Sequence, residues 1–224
     1  MSLTLYLHPL SSYCHKVLIA LYEASIPFEP RVVDLGDPAD RAEFARVWAL
    51  ARFPVLRDAA RGQTVPESTT IIEYLSHHYP QQGKLIPADP ELAFQTRAAD
   101  RFYDLHIHTP MQKVVGDLLR PADGHDPIGV GQAHAQIKTA LGIAEQQMAR
   151  RLWASGDQFS MADCAAAPPL FFINIMTPLG QEFPNLSAYL ERMKARPSYA
   201  RTLAEAQPYL QMFPGHPRKT PEHA

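Results

Sequence analysis

The spacing of hydrophobic positions changes along this chain, and each change predicts an element. Over Ser2–Leu7, Leu3, Leu5 and Leu7 alternate with Thr4 and Tyr6, the period-two pattern of a strand. Within Leu10–Leu21 the period lengthens: Cys14, Val17, Leu18 and Leu21 fall at i, i+3, i+4 and i+7, one apolar helix face. Ser11 and Ser12 precede it, and either can cap the helix by accepting from a free backbone N–H. The pattern fades at Ala24–Pro27. Phe28–Asp34 reads as a second strand, with Pro30 marking a sheet edge. Ala39–Leu50 reads as a short helix, Val55–Asp58 and Gln63–Val65 as a hairpin around the turn Ala59–Gly62, and Glu67–Tyr79 as a helix. A helix between strands one and two implies a right-handed parallel crossover, and the hairpin adds an antiparallel pair. The expectation is a small α/β domain with a mixed four-stranded sheet.

Pro80–Pro90 is a proline- and glycine-bearing linker, and beyond it strand patterns stop. Glu91–Leu119 predicts one long helix or two abutting ones, with Phe94, Ala98, Phe102 and Leu105 in register. A loop over Arg120–Gly131 precedes a helix over Gln132–Trp153 that turns Ile137, Leu141, Ala144 and Met148 inward. Ser160–Asp163 has the form of a capping box, with Asp in the third helical position. Pro168-Pro169 inside the following apolar run predicts a kink or a break. Asn185–Arg196 and Ser198–Ala206 complete an all-helical second part. The expected division is a domain over 1–80, a linker over 81–90, a helical domain over 91–212 and a loose tail over 213–224.

A formal net charge of -2 over 224 residues leaves no basic footprint for nucleic acid or anionic lipid. No apolar run is long enough to span a bilayer, and Met1–Leu10, without a basic stretch or a small-residue cleavage site, is not expected to act as a secretory signal. Two cysteines, Cys14 and Cys164, suit a reducing compartment better than a disulfide scaffold, so the cytoplasm is expected. His77-His78 and the pair His106, His108 lack the i, i+4 spacing of a helical metal site, and no metal is expected. Tyr6 reads as a strand residue packed on a helix, and Cys14, on the apolar face, as a structural cysteine.

Several motifs occur together in a fixed order. They are Ser11-Ser12-Tyr13-Cys14, Arg52-Phe53-Pro54-Val55-Leu56, Val65-Pro66-Glu67-Ser68 and the box at Ser160–Asp163. In this order, ahead of and within a helical second half, the chain resembles the cytosolic glutathione transferases of the serine type. The resemblance covers residues 1 to about 210.

It implies a thioredoxin-like α/β N-terminal domain and an all-α C-terminal domain. It implies that glutathione is bound as co-substrate by Ser11, Ser12, Arg52, Phe53, Pro54, Glu67 and Ser68, with a cis bond before Pro54. Phe53 would pair its backbone with the cysteinyl part, while Ser68 and the helix N-terminus hold the γ-glutamyl carboxylate and Glu67 its ammonium. Ser11 would stabilise the thiolate, with Ser12 competing for the task. His106, His108, Met111 and Val115 would line the pocket for a small apolar electrophile. A homodimer is implied as well. The segment Trp48–Arg52 departs from the family, lacking its Asn-Pro-x-Gly turn and carrying arginine for the usual lysine. The Ser-Ser pair also resembles that of the zeta-type maleylacetoacetate isomerases, whose next residue is cysteine where Tyr13 stands here. A non-catalytic binding module on the same fold is a further alternative.

Overall fold

The computed structural model describes residues 2–80 and 85–215. Strands β1 (Leu3–Leu7), β2 (Glu29–Val32), β3 (Val55–Asp58) and β4 (Gln63–Pro66) form one sheet in the order β2-β1-β3-β4. β1 pairs parallel with β2, Leu5 opposite Pro30, and antiparallel with β3, Leu5 opposite Leu56. Pro30 therefore sits on an edge strand, where its missing amide costs nothing to a second neighbour. Helices α1 (Ser12–Glu23), α2 (Pro38–Val47) and α3 (Ser68–His78) complete this part. Helix α2 ends three residues short of the expected Leu50. There the chain turns through Ala51 at φ 45°, the left-handed region that a helix cannot use.

Helix α1 is the seam of the molecule. Cys14, Val17, Leu18 and Leu21 enter the core beneath the sheet, while Ile19 and Ala20 enter the core of the helical part. An element buried on both faces needs no polar stripe. It ends with Ser25 at φ 51°, where the Ile26 amide reaches back to the Leu21 carbonyl at 3.0 Å and closes the last turn.

The second part holds α4 (Pro90–Phe102), a π-helical turn (Tyr103–His108), α5 (Thr109–Leu118), α6 (Pro127–Met148), α7 (Met161–Met176), α8 (Pro184–Ala195) and α9 (Pro197–Ala206). The predicted inner face of α4 is in fact its outer one: Phe94 is 66% exposed and Leu105 50%. The buried face carries Ala93, Thr96 and Asp100, followed by Tyr103, Asp104 and Ile107. It is polar because it receives Lys16 of α1, itself fully buried, whose ammonium lies 2.6 Å from Asp100 and 2.7 Å from Asp104. The apolar period alone could not see a buried ion cluster.

Helix α6 starts at Pro127, capped by Asp126, inside the stretch expected to be loop. Its inward residues are the predicted Ile137, Leu141, Ala144 and Met148. The box at Ser160 and Asp163 opens α7 with both reciprocal bonds made. Neither a break nor an end occurs at Pro168-Pro169. Packing on all sides holds a helix whose two prolines leave the Cys164 and Ala165 carbonyls without ladder partners. A 3₁₀ turn (Gln207–Met212) follows α9, and Phe213, expected in a loose tail, is buried with its ring centroid 4.9 Å from that of Phe172. Linker residues 81–84 and tail residues 216–224 lie outside the described residues.

Candidate active site

Two helix N-termini open on one cleft. At the first, Ser11 caps α1: its Oγ accepts from the Cys14 amide at 3.3 Å. The oxygen is used as an acceptor, so the hydroxyl proton remains to be donated. Ser12, the next residue, is 2% exposed and otherwise engaged. Its Oγ accepts from Gln112 Nε2 at 2.8 Å and shares a hydrogen bond of 2.6 Å with His108 Nε2.

At the second N-terminus, Glu67 precedes α3 at φ 71° and makes no side-chain cap. The first amides of α3 thus keep their unpaired donors, beside an acidic side chain and the buried Ser68 hydroxyl. That combination offers positive potential to a carboxylate and negative charge to an ammonium.

The cleft has two lobes. One, about 720 Å³, is lined by Ser11, Ser12, Met111, Val115, Phe172 and Phe213 among others. The other, about 560 Å³, is lined by Pro54, Glu67, Ser68, Thr69, Arg101 and Asp104 among others. Tyr13, Arg52, Phe53 and Thr109 border both, so the lobes join across the cis Phe53-Pro54 peptide. The first lobe is mainly apolar, and the second is the more polar of the two.

The charged wall of the polar lobe belongs to the ion cluster. Burial works to raise the Asp104 carboxyl, but its contact with His108 and the charge of Lys16 win and hold it at about 2. Asp104 also receives Arg101 and the Thr69 hydroxyl. The π turn brings this about. It widens the helix by one residue per ring, and the Asp104 carbonyl accepts from both the Thr109 amide and, at 2.9 Å, the Thr109 Oγ1 hydroxyl. Burial pushes the His108 imidazole down, and pushes the Cys14 thiol up to about 12, which leaves Cys14 a neutral core group.

Of the residues singled out in the sequence, Ser11, Ser12, Arg52, Phe53, Pro54, Glu67, Ser68, Met111 and Val115 line this cleft. The two histidines do not. His106 is exposed and borders a separate groove between the π turn and α6, with Ala135 and Thr139. His108 is fully buried behind Ser12, its ring stacked at 3.6 Å on Tyr13. The extra residue of the π turn rotates these side chains away from where plain helical spacing would put them. Tyr6 stacks on Phe44 at 5.6 Å, as a packed strand residue. Sequence reasoning missed Gln112, Phe172 and the segment Met212–Pro214 as cleft residues. One signal was there to read in Phe213, the last large aromatic before a polar tail. Among the described residues, no group of His, Cys, Asp and Glu is placed to hold a metal ion, and no helix is long and apolar enough to cross a membrane.

The comparisons with known proteins agree with this geometry. Residues 5–83 match the family model of the glutathione S-transferase N-terminal domain, and residues 95–192 that of the C-terminal domain. The chain is 30% identical to glutathione S-transferase 3 of Zea mays over 210 residues, covering 90% of this chain and 93% of that one. A solved glutathione S-transferase from Methylobacillus flagellatus, with GSH bound, superposes with a TM-score of 0.83 at 26% identity, over 90% of this chain and 98% of that one. Another, from Methylobacterium radiotolerans in complex with glutathione sulfonate, gives 0.79 at 25% identity over 99% of each chain. With both domain models matched in order, and a mixed sheet joined to a helical domain around a shared cleft, the chain belongs to the glutathione S-transferase family.

Proposed function

We propose that this enzyme binds glutathione across the cleft, holds its sulfur as a thiolate at Ser11, and joins it to an apolar electrophile in the larger lobe. One observation carries the reading: the N-termini of α1 and α3 open on the same cavity, one offering a free hydroxyl proton and the other a paired set of charges. The γ-glutamyl end of glutathione is a zwitterion, which suits Glu67 and the α3 amides. The Phe53 backbone at the lobe junction suits the cysteinyl part.

The energetics are adequate. An ordinary thiol has a pKa of about 8.5, and ionising it mostly at pH 7 takes a drop of about 2 units, or roughly 2.7 kcal/mol. A hydrogen bond to a charged group contributes roughly 1.5–3 kcal/mol and a helix N-terminus about 0.3–1. The Ser11 hydroxyl and the α1 dipole together reach the required amount. Ser12 is the weaker candidate because its oxygen is already bonded to His108 and Gln112.

The ultraviolet absorbance of bound thiolate, followed against pH, tests this. Ser11→Ala is expected to raise the apparent pKa of the bound thiol by about 1–2 units and to slow conjugation of an aryl halide in proportion. An unchanged thiol pKa in that variant would remove Ser11 from the role. We further propose a homodimer, supported by the exposed apolar side chains Phe94 on α4 and Leu105 on the π turn that follows it; light scattering tests it. Cys14 and Cys164 are both free and buried, which suits the cytoplasm.

A further inference from the structure

Behind the apolar lobe lies a line of three side chains that thiolate stabilisation does not use. His108 Nε2 is 2.6 Å from Ser12 Oγ, and His108 Nδ1 faces Asp104 Oδ1 at 3.8 Å. Those last two atoms are buried and neither has a hydrogen-bond partner among the described residues, so at this separation the carboxylate acts on the imidazole through its charge. The Asp104 carboxylate is ionised, because its other oxygen is held by Lys16 and Arg101. A carboxylate beside Nδ1 favours the tautomer that carries its proton there, which leaves Nε2 as the acceptor for the Ser12 hydroxyl. Gln112 Nε2 occupies a lone pair of the same hydroxyl and fixes its direction. Tyr13 stacks on the imidazole and holds its plane. Hydroxyl, imidazole and carboxylate in this order form the arrangement that activates a serine for acyl transfer.

The surroundings match. Ser12 is the first residue of α1, and its own amide and that of Tyr13 have no acceptor in the helix ladder. They stand ready for an oxyanion. Ser12 is among the residues that line the cleft, although only 2% exposed, and it adjoins Ser11, whose hydroxyl we assign to the glutathione sulfur.

We propose that Ser12 is a nucleophile and that the cleft hydrolyses S-acyl glutathione thioesters; this rests on the glutathione reading above. Ser12 Oγ attacks the acyl carbonyl while its proton passes to His108 Nε2. The new C–O bond forms, the C–S bond breaks, and the sulfur leaves as the thiolate that Ser11 receives. His108 returns its proton to that sulfur. Water then gives a proton to His108 Nε2 and attacks the acyl-Ser12 ester. Carboxylic acid departs and the Ser12 hydroxyl is restored by the same proton. Thioester and water become acid and thiol, with no oxidation or reduction. The acyl chain would lie in the apolar lobe against Met111 and Val115.

The test uses the full chain and two probes: S-butyrylglutathione, followed by thiol release, and p-nitrophenyl butyrate without any thiol. Both are expected to be hydrolysed, the second with an initial burst. Ser12→Cys keeps a nucleophile of similar size and should accumulate an acyl-enzyme visible by mass spectrometry. His108→Gln should slow hydrolysis about 10²-fold and abolish the fall in rate toward acid pH, which a purely structural histidine would not do. Calorimetry with glutathione runs alongside. Glutathione binding without hydrolysis of either probe overturns this proposal and leaves the transferase reading standing, as does wild-type hydrolysis by His108→Gln. No glutathione binding overturns the transferase reading and the thioester substrate with it. The burst with p-nitrophenyl butyrate then decides on its own whether Ser12 is a nucleophile.

Discussion

The N-termini of α3 and α7 are built from the same chemistry, a serine and an acidic residue, yet they do opposite things. At α7, Asp163 accepts from the amides of Ser160 and Ala154, each at 2.8 Å, and from the Tyr189 hydroxyl at 2.8 Å. Ser160 in turn accepts from the Ala162 amide. Every strong donor in reach is answered from inside the protein, and the whole assembly is buried. At α3, Glu67 caps nothing, stands at φ 71°, and faces the cleft together with Ser68. A helix start that satisfies itself is scaffold. One that leaves its donors open and holds a strained backbone is prepared for something from outside.

Breaking the scaffold end should have the largest effect. Asp163→Ala strips partners from two buried amides and a buried hydroxyl, each costing about 1–3 kcal/mol when left unsatisfied. A loss of at least about 3 kcal/mol in urea unfolding is expected, with glutathione affinity of the folded fraction unchanged. A loss below about 1 kcal/mol would mean that water replaces the carboxylate, and the contrast between the two helix starts would fail.

Asp104 stands between the two cases, since it both lines the cleft and pairs with Lys16. Its carboxyl lies at about 2 when folded, against an ordinary 3.8. A lowered acid pKa contributes stability at every pH above the unfolded value, and that contribution is lost as pH falls. Stability should therefore drop by about 2 kcal/mol between roughly pH 4 and pH 2. Asp104→Asn should remove this slope from acid titrations monitored by circular dichroism. An identical slope in the variant would assign it to other carboxyls.

The open end predicts the reverse balance. Glu67→Gln removes the negative charge at α3 but no internal hydrogen bond. Folding stability should change by less than about 0.5 kcal/mol. Glutathione affinity should fall about tenfold, roughly 1.4 kcal/mol, as measured by calorimetry. A large loss of stability with unchanged affinity would make Glu67 a structural residue.

The difference between these helix starts was only half legible in the sequence. The box at Ser160 and Asp163 could be read directly, because capping is local and its spacing is fixed. The stripe of α1 could be read for the same reason, and so could strand β3, to the residue. The outer face of α4 was misread because hydrophobicity there points to solvent, while the buried face is justified only by Lys16, more than eighty positions away in the chain. The π turn leaves no mark in the sequence, so the family resemblance that puts His106 and His108 in the cleft does not hold for their side chains, which lie outside its lining. The bond between Ser12 and His108 joins residues with no local relation and needs the fold to exist. What was legible was local; what was not depended on two distant segments meeting at α1.

The smallest expected effect concerns the backbone beside the cleft. Ala51 stands at φ 45°, in the turn between α2 and β3. A non-glycine residue in this region costs on the order of 1–3 kcal/mol, and glycine loses roughly 0.5–1 kcal/mol more chain entropy on folding. Ala51→Gly should therefore stabilise the fold by about 0.5 kcal/mol or slightly more. The methyl group opposes this, because Ala51 packs against the small cluster of Val33, Phe44 and Val55. Ser25, at φ 51° and exposed after α1, has the same backbone problem without the packing. Ser25→Gly should accordingly gain at least as much as Ala51→Gly in paired urea unfolding curves. If Ala51→Gly destabilises while Ser25→Gly stabilises, the Ala51 methyl is holding the turn in place, and the segment bordering both lobes of the cleft is shaped by packing rather than by backbone preference.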